Sequence, residues 1–129
     1  MIEDKISKES AEVEFQNILD RYDLLIDVKE MEEEDKTDFL KLRNRLVRAI
    51  MRGNLYLDDL AVYKTKDGLE LKFDEIGTSA MAEIDKAKGT FSGMTKIIGR
   101  MTKQPPEMLS KLKGEDYKCV FGLGNLFLD

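Results

Sequence analysis

Apolar residues recur at three- and four-residue spacing along the first part of the chain. From Ser10 onward they form one stripe, which predicts an amphipathic helix with Ser10 as its N-cap. An acidic run follows over residues 30–35, and we interpret it as a solvated helix end or a linker. A cation site is the less favoured reading, because no spaced acid-x-acid-x-acid-Gly loop is present. The stripe consists of Val13, Phe15, Ile18, Leu19, Tyr22, Leu25 and Ile26.

A second amphipathic helix is predicted over residues 37–52, and Gly53 suits its left-handed C-terminal cap. Its second half carries basic residues and no acid, so this face could bind phosphates. We favour pairing of these residues within the chain or between subunits, for example with the acidic run just upstream. The apolar stripe is Phe39, Leu42, Leu46, Ala49 and Ile50, widened by Leu40, Val47 and Met51; the basic residues are Lys41, Arg43, Arg45, Arg48 and Arg52.

Apolar and polar residues then alternate over residues 60–66 and 69–74, which is typical of half-buried strands. Asp67-Gly68 lies between them and favours a two-residue type I′ hairpin, because glycine adopts positive φ without strain. This register places Leu60, Val62, Lys64, Leu71 and Phe73 on one face, with Val62 opposite Phe73 and Lys64 opposite Leu71. The solvent face pairs Tyr63 with Lys72 and Thr65 with Glu70.

The second half of the chain is predicted to be helical and interrupted by small residues. We expect helices over about residues 78–88 (with Met81, Ile84 and Ala87 inward) and 93–103, a short helix begun by Pro105-Pro106 and ended by Gly114, and an apolar segment over 116–128. Met108, Leu109 and Leu112 should face inward. The fold class is therefore α+β, mainly helical with one β-hairpin in the middle. Residues 1–36 form an amphipathic helix and acidic run, and 37–129 a helical domain with the hairpin at about 55–75.

Composition narrows the possible chemistry. The 129 residues suit one domain, and with 42% apolar and 36% charged residues the chain is neither disordered nor a membrane protein in character. Histidine is absent, which excludes Ser-His-Asp and Cys-His catalysis and the usual zinc ligand sets. The single cysteine, Cys119, has apolar neighbours and suits a buried, inert thiol. We expect a non-enzymatic protein without cofactor or metal.

Charge and the first residues bear on partners and location. A net charge of −5 argues mildly against nucleic acid as the main partner. No apolar run reaches the length of a membrane span, and the acidic residues at positions 3 and 4 do not resemble a secretory signal. A chain with one cysteine also suits a reducing compartment. The expected location is therefore the cytoplasm.

Two glycine-containing segments resemble nucleotide-binding loops only superficially. In residues 89–96 the lysine does not follow the second glycine directly, as a phosphate-binding loop requires. Gly122-Leu123-Gly124 lies too near the end of the sequence for a dinucleotide fingerprint. We interpret both as bends or points where small residues allow close packing.

Methionines and the last apolar residues suggest a binding surface. Four of the seven methionines fall between residues 81 and 108, and methionine recurs both in cores and on adaptable binding surfaces. Leu126-Phe127-Leu128 is awkward to bury in a small monomer. We therefore predict a partly exposed groove for a partner helix, with ordinary core packing as the alternative. Its apolar lining is Met94, Ile97, Met101, Leu109, Phe121 and Phe127, and its basic rim is Lys96, Arg100 and Lys103.

Several of these segments together carry a family resemblance. Three features carry it, in chain order. They are residues 46–55 (LVRAIMRGNL), the strand pair around Asp67-Gly68, and residues 97–102 (IIGRMT) followed by Pro106, Leu109, Leu112 and Asp116. Over residues 40–128 the chain resembles the tail assembly chaperones of tailed bacteriophages and prophages. The acidic N-terminal helix lies outside the resemblance.

The resemblance implies a protein-binding role rather than catalysis. Chaperones of this kind bind the tape measure protein, and tail tube subunits, before and during tail polymerisation. The tape measure protein is a long helical chain, and a groove of methionine and leucine side chains would hold its apolar stripe. Two alternatives stay open: a small nucleic-acid-binding regulator that uses residues 41–52, and a structural virion component. A homo-oligomer is possible in each case.

Overall fold

Helices flank a three-stranded antiparallel sheet in the computed structural model, which describes residues 5–24, 26–75 and 91–127. The predicted α+β class, mainly helical with strands in the middle of the chain, is confirmed. The predicted helix over 78–88, together with Leu25 and Leu128, lies outside the described residues. The elements are α1 (Lys8–Arg21), a 3₁₀ helix (Val28–Glu30), α2 (Glu33–Met51), β1 (Leu55–Asp58), β2 (Leu60–Lys64), β3 (Glu70–Phe73), α3 (Phe91–Thr102), α4 (Pro106–Leu109) and α5 (Gly114–Phe127).

The first helix begins earlier than its stripe predicts. Ser7, rather than Ser10, is the N-cap, and its hydroxyl accepts a hydrogen bond from the Ser10 N–H at 3.2 Å. Phe15 and Ile18 are buried as predicted, whereas Val13 is 62% exposed. Two residues before Phe15, Val13 lies about 200° away around the helix axis, so it points to solvent.

Most of the acidic run lies at the start of α2, as the interpretation of a solvated helix end predicted, and Glu30 ends the preceding 3₁₀ helix. Glu33, Glu34 and Asp35 lie in the first turn, where carboxylates interact favourably with the helix dipole. The expected boundary between residues 36 and 37 therefore falls inside a continuous helix. Residues of α1 and of α2, such as Ile18 and Leu46, also belong to one core cluster. The two predicted segments thus share a single core.

Gly53 ends α2 as predicted. Its φ is +83°, and its N–H donates to the Ile50 carbonyl at 3.0 Å. The Asn54 N–H donates to the Ala49 carbonyl at 2.9 Å, which completes a Schellman motif. The cap turns the chain directly into β1.

The hairpin is present, but its predicted register is wrong by one residue. The Thr65 N–H donates to the Leu69 carbonyl at 2.9 Å, and the Gly68 N–H donates to the Thr65 carbonyl at 3.0 Å. The loop therefore has three residues, ending in Gly68 at φ +88°, instead of two. One extra loop residue shifts every pair: the observed pairs are Ala61–Phe73, Val62–Lys72, Tyr63–Leu71 and Lys64–Glu70.

The shift exchanges the two faces of β2, whereas Leu71 and Phe73 of β3 are buried as predicted. Tyr63 and Thr65, predicted to face solvent, are buried, and Lys64, predicted to face inward, is exposed. A third strand, β1, pairs antiparallel with β2, so the hairpin is extended to a meander. Val62 is buried as well, although it lies on the face opposite Tyr63.

Helices α3 and α5 pack closely through glycine. A Cβ at Gly124 would lie 2.6 Å from Cγ1 of Ile98, and one at Gly122 would lie 2.4 Å from Cδ1 of Leu42. Both distances are too short for a real side chain, so these glycines let α5 approach α3 and α2. The predicted role of Gly122 and Gly124 as close-packing points is confirmed.

The end of α5 is packed within the chain. The Phe127 ring stacks on Tyr22, with centroids 4.1 Å apart, and meets Phe73 edge-on at 5.6 Å. The Tyr22 hydroxyl donates to the Phe73 carbonyl and accepts from the Ala61 N–H at 2.9 Å. Leu126 is buried. The expectation that residues 126 and 127 are difficult to bury is therefore wrong for Leu126, and Phe127 is half-buried against Tyr22 and Phe73.

Candidate binding groove

The residues predicted to line a groove lie mostly in the core. Five of the six apolar members are at most 8% exposed, and the sixth, Phe127, is half-buried against Tyr22 and Phe73. The rim residues Lys96, Arg100 and Lys103 are exposed. The apolar residues predicted to line the groove therefore pack in the core, as the alternative interpretation stated. A partner would not reach their side chains in this conformation. The five buried members are Met94, Ile97, Met101, Leu109 and Phe121.

An open groove lies beside this core, between the β2–β3 loop and the link from α4 to α5. Its volume is about 840 Å³, and we refer to it as the turn groove. The loop positions one wall, and α4 with the first residues of α5 positions the other. Its lining residues are Thr65, Lys66, Asp67, Leu69, Met108, Ser110, Lys111, Leu112, Lys113, Gly114 and Asp116.

The turn groove combines apolar and basic side chains. Met108 is 39% exposed, and Leu69 and Leu112 are half-buried. The lysines at the groove, Lys66, Lys111 and Lys113, are exposed. Such a groove suits a segment with an apolar side chain to bury and acidic side chains to pair.

Met108 was predicted to face inward, and this was wrong. Helix α4 spans only four residues, and Leu109 occupies its buried position. The Ser110 N–H bonds to the Pro106 carbonyl at 3.0 Å, and the chain leaves the helix there. Consequently Met108 stays at the surface and contributes to the groove.

One carboxylate joins the two walls of the turn groove. Asp116, in the first turn of α5, accepts hydrogen bonds from the Tyr63 hydroxyl at 2.8 Å and from the Lys66 N–H at 3.1 Å. Burial, followed by the nearby Cys119 and Asp116, raises the pKa of Tyr63, so the phenol stays a protonated donor at neutral pH. Asp116 thereby fixes the hairpin loop against α5 and sets the shape of the groove.

Two smaller pockets continue from the turn groove along α2. The first, of about 270 Å³, shares Lys66 and Asp116 with the groove, and the second shares Arg45 and Glu115 with the first. Together the three carry seven basic side chains against three acidic ones, Asp67, Glu115 and Asp116. We call the seven the basic surface: Lys41, Arg45, Arg48, Arg52, Lys66, Lys111 and Lys113.

Part of the basic half of α2 is paired within the chain, as predicted, but with other partners. Arg43 pairs with Glu12 of α1 at 3.1 Å, and Arg45 with Glu115 of α5 at 3.4 Å. Both pairs are partly exposed, so each contributes little to stability. They connect α2 with α1 and with α5, respectively.

Cys119 lines the first of the smaller pockets but is only 1% exposed. Burial raises the pKa of its thiol to about 11, so the thiolate is scarce at neutral pH. The predicted burial of the thiol is confirmed. Within residues 5–24, 26–75 and 91–127, no group of three or more Cys, Asp or Glu side chains is arranged to hold a metal ion. In the same part of the chain, no helix is long and apolar enough to cross a membrane.

The residues that carry the family resemblance have clear structural roles. Gly53 caps α2, Leu109 is buried, and Asp116 joins the hairpin to α5. Comparison of the chain with protein-family models, with curated proteins and with solved structures finds no match. What the resemblance implies about function therefore stays a prediction.

Proposed function

We propose that this chain is a non-enzymatic tail assembly chaperone that binds the tape measure protein of a phage or prophage in the bacterial cytoplasm. The observation that carries the proposal is the turn groove, in which Met108 is open to a partner and lysines surround it. A long helical client needs its apolar stripe covered before the tail assembles. The turn groove offers an apolar site for such a helix without exposing the core.

The apolar side chains supply affinity in this proposal, and the lysines supply steering. Covering an exposed methionine and two half-buried leucines removes apolar area from water, at roughly 25 cal/mol per Å². Lys66, Lys111 and Lys113 attract acidic residues of the client and raise the association rate. The preferred segment is therefore an amphipathic helix with acids flanking an apolar anchor. Tail tube subunits with the same pattern would bind in the same way.

A nucleic-acid-binding regulator is the second candidate, because Lys41 and Arg48 are exposed on α2. Three observations favour a protein client instead. Arg45 is already paired with Glu115, the apolar floor of the turn groove has no use in phosphate binding, and the whole chain carries a net charge of −5. A structural virion component is the third candidate, and it would remain in purified particles, whereas a chaperone leaves.

The proposal is tested by co-expressing the chain with the tape measure protein of the same phage, followed by pull-down and titration. Met108→Asp combined with Lys113→Glu should weaken binding about 10- to 100-fold, which corresponds to about 1.4–2.8 kcal/mol. Val13→Asp is the matched control, because Val13 is an exposed apolar residue outside the groove. It should bind like the wild type.

Equal binding by the double variant and the control would contradict the proposal. Binding of duplex DNA that falls steeply with added salt, without binding of the tape measure protein, would favour the regulator instead. Circular dichroism of each variant checks that the fold is intact.

A further inference from the structure

The first of the two smaller pockets, of about 270 Å³, brings together more cations than carboxylates. It lies between the C-terminal end of α2, the strands that follow and the first turn of α5, and we call it the cap pocket. Three positive charges meet two negative ones there. The charged residues that line it are Arg45, Arg52, Lys66, Glu115 and Asp116.

Both carboxylates of the cap pocket already have partners. Glu115 pairs with Arg45 at 3.4 Å, and each oxygen of Asp116 accepts a hydrogen bond from the hairpin. Within the three described stretches of the chain, no ion pair involves the side chain of Arg52 or Lys66. Two of the three cations at the cap pocket therefore have no ion-pair partner in this part of the chain.

The backbone brings these two cations to one pocket. The Lys64 N–H donates to the Asn54 carbonyl at 2.6 Å, and the Asn54 side-chain amide donates to the Lys64 carbonyl at 3.0 Å. Arg52 lies two residues before this hydrogen-bonded pair, and Lys66 lies two residues after it. Like charges that the fold keeps close repel each other, and an anion between them would remove that repulsion.

The size and the donors of the cap pocket indicate which anion it suits. Water takes about 30 Å³ per molecule in the liquid, so about 270 Å³ holds a phosphate group with a few waters but is smaller than the pockets of drug-sized ligands. A phosphate group carries nearly two charges at neutral pH, so it can face both cations at once, whereas a carboxylate carries one. Guanidinium presents a fork of N–H donors that matches phosphate oxygens. We propose that the cap pocket binds a phosphate group between Arg52 and Lys66.

The site has a consequence for the client that rests on the proposed function. Lys66 and Asp116 line both the cap pocket and the turn groove. A phosphate group held by Lys66 occupies a cation that would otherwise attract an acidic client. Phosphate should therefore weaken client binding. Arg52→Gln should abolish this weakening, since Arg52 lines the cap pocket and not the turn groove.

Phosphate binding itself needs no client, and NMR titration of the ¹⁵N-labelled chain measures it directly. Inorganic phosphate replaces sodium chloride at a constant ionic strength of about 0.15 M, which keeps general screening unchanged. The Arg52 Nε–H signal and the backbone N–H signals of Asn54 and Lys66 should shift until they saturate. A nucleoside monophosphate is titrated in the same way. Equal affinity would identify free phosphate as the ligand, and tighter binding of the nucleotide would identify a phosphate group carried by a larger molecule.

Matched variants on α2 and the hairpin localise the site. Arg52→Gln and Lys66→Gln should each weaken phosphate binding about 10-fold, because each removes a hydrogen bond from a charged donor. Arg48→Gln is the control, because Arg48 lies about one helical turn before Arg52 and outside the cap pocket. It removes the same charge from the chain and should change the affinity less than about two-fold at this ionic strength.

Three outcomes would overturn the proposal. The first is a wild type whose signals do not saturate with phosphate, which decides the matter even where a variant fails to fold. The second is an Arg48→Gln variant that binds as weakly as Arg52→Gln, which would assign the effect to the whole basic surface and favour a polyanion such as nucleic acid. The third is a set of shifts confined to Lys111 and Lys113. Saturable phosphate binding by a chain that binds no tape measure protein would leave the phosphate site intact, so the two proposals fail separately.

Discussion

Leu109 and Met108 are neighbours in the chain but lie in two different kinds of apolar region. Leu109 is 0% exposed in the interior formed with α3 and α5, where Gly124 lets Ile98 approach too closely for any Cβ. Met108 borders an open groove of about 840 Å³ whose other apolar residues are only half-buried. Apolar side chains form core where glycines let helices close. They stay partly exposed at the turn groove, where a polar contact, here Asp116 to the hairpin, sets the position of the two walls.

The largest expected effect is the difference in the free energy of unfolding between substitutions at these two neighbours. Leu109→Ala should lower the free energy of unfolding by about 2–5 kcal/mol, because it leaves a cavity in a packed interior. Met108→Ala should change it by less than about 0.5 kcal/mol, because the side chain is already partly in water. Chemical denaturation of both variants measures the difference. Similar losses for the two would show that Met108 is core and that the groove is not open in solution.

Removing the contact between the hairpin and α5 should have the next largest effect on the free energy of unfolding. Asp116→Ala leaves the buried Tyr63 hydroxyl and the Lys66 N–H without their acceptor, and should cost about 1–3 kcal/mol. Asp67→Ala, also at the groove but exposed, is the control and should stay within about 0.5 kcal/mol. Adding Tyr63→Phe to Asp116→Ala should cost less than the sum of the single changes, since the orphaned hydroxyl is removed. Additive losses would mean that the two groups do not interact.

The loop that forms one wall of the groove depends on Gly68. Gly68→Val should cost about 1–2 kcal/mol, because a β-branched residue is strained at the φ of +88° found there. No atom lies within 4 Å of a Cβ at this position, so backbone strain and not crowding is the cause. Thermal denaturation measures the effect, and an unchanged midpoint would argue against the three-residue loop.

The smallest expected effect is a gain in stability, from a substitution at the end of α3. Lys103 adopts φ +58° just after the helix, a conformation that glycine accepts with less strain. Lys103→Gly should therefore stabilise the protein by about 0.5–1 kcal/mol. Its 3.8 Å ion pair with Asp74 is largely exposed and contributes little. Lys103→Ala, which loses the ion pair but keeps a Cβ, should give no gain in stability. Equal gains for the two variants would show that loss of the charge, and not relief of backbone strain, causes the effect.

The periodicity of the sequence predicted most elements of the fold but not the details that depend on one residue. The stripes of α1 and α2 and the Gly53 cap followed from spacing and from glycine at the right place. The hairpin register did not, since Asp67-Gly68 fits both a two-residue loop and the end of a three-residue loop beginning at Lys66. Only the hydrogen bonds of Thr65 distinguish the two.

The groove was harder to predict for a physical reason. Met101 and Met108 look alike in sequence, but Met101 is buried in α3, whereas Met108 is exposed in the short helix α4, whose buried position Leu109 takes. In the sequence, Asp116 stands out only through the resemblance, because the two-residue loop register places its partner Tyr63 on the solvent face. The three lysines at residues 66, 111 and 113 meet only in the folded chain. The one available signal in the sequence was that Lys111 and Lys113 lie within five residues of Met108.

Methyl NMR of ¹³C-labelled methionine during titration with the tape measure protein tests the central claim most directly. Among the described residues, Met108 is the methionine at the turn groove, and Met94 and Met101 lie in the adjoining core. If the turn groove binds the client, the Met108 methyl signal should shift or broaden at low client ratios while those of Met94 and Met101 stay in place. A shift at Met94 and Met101 with Met108 unchanged would contradict the account, because the client would then be entering the core.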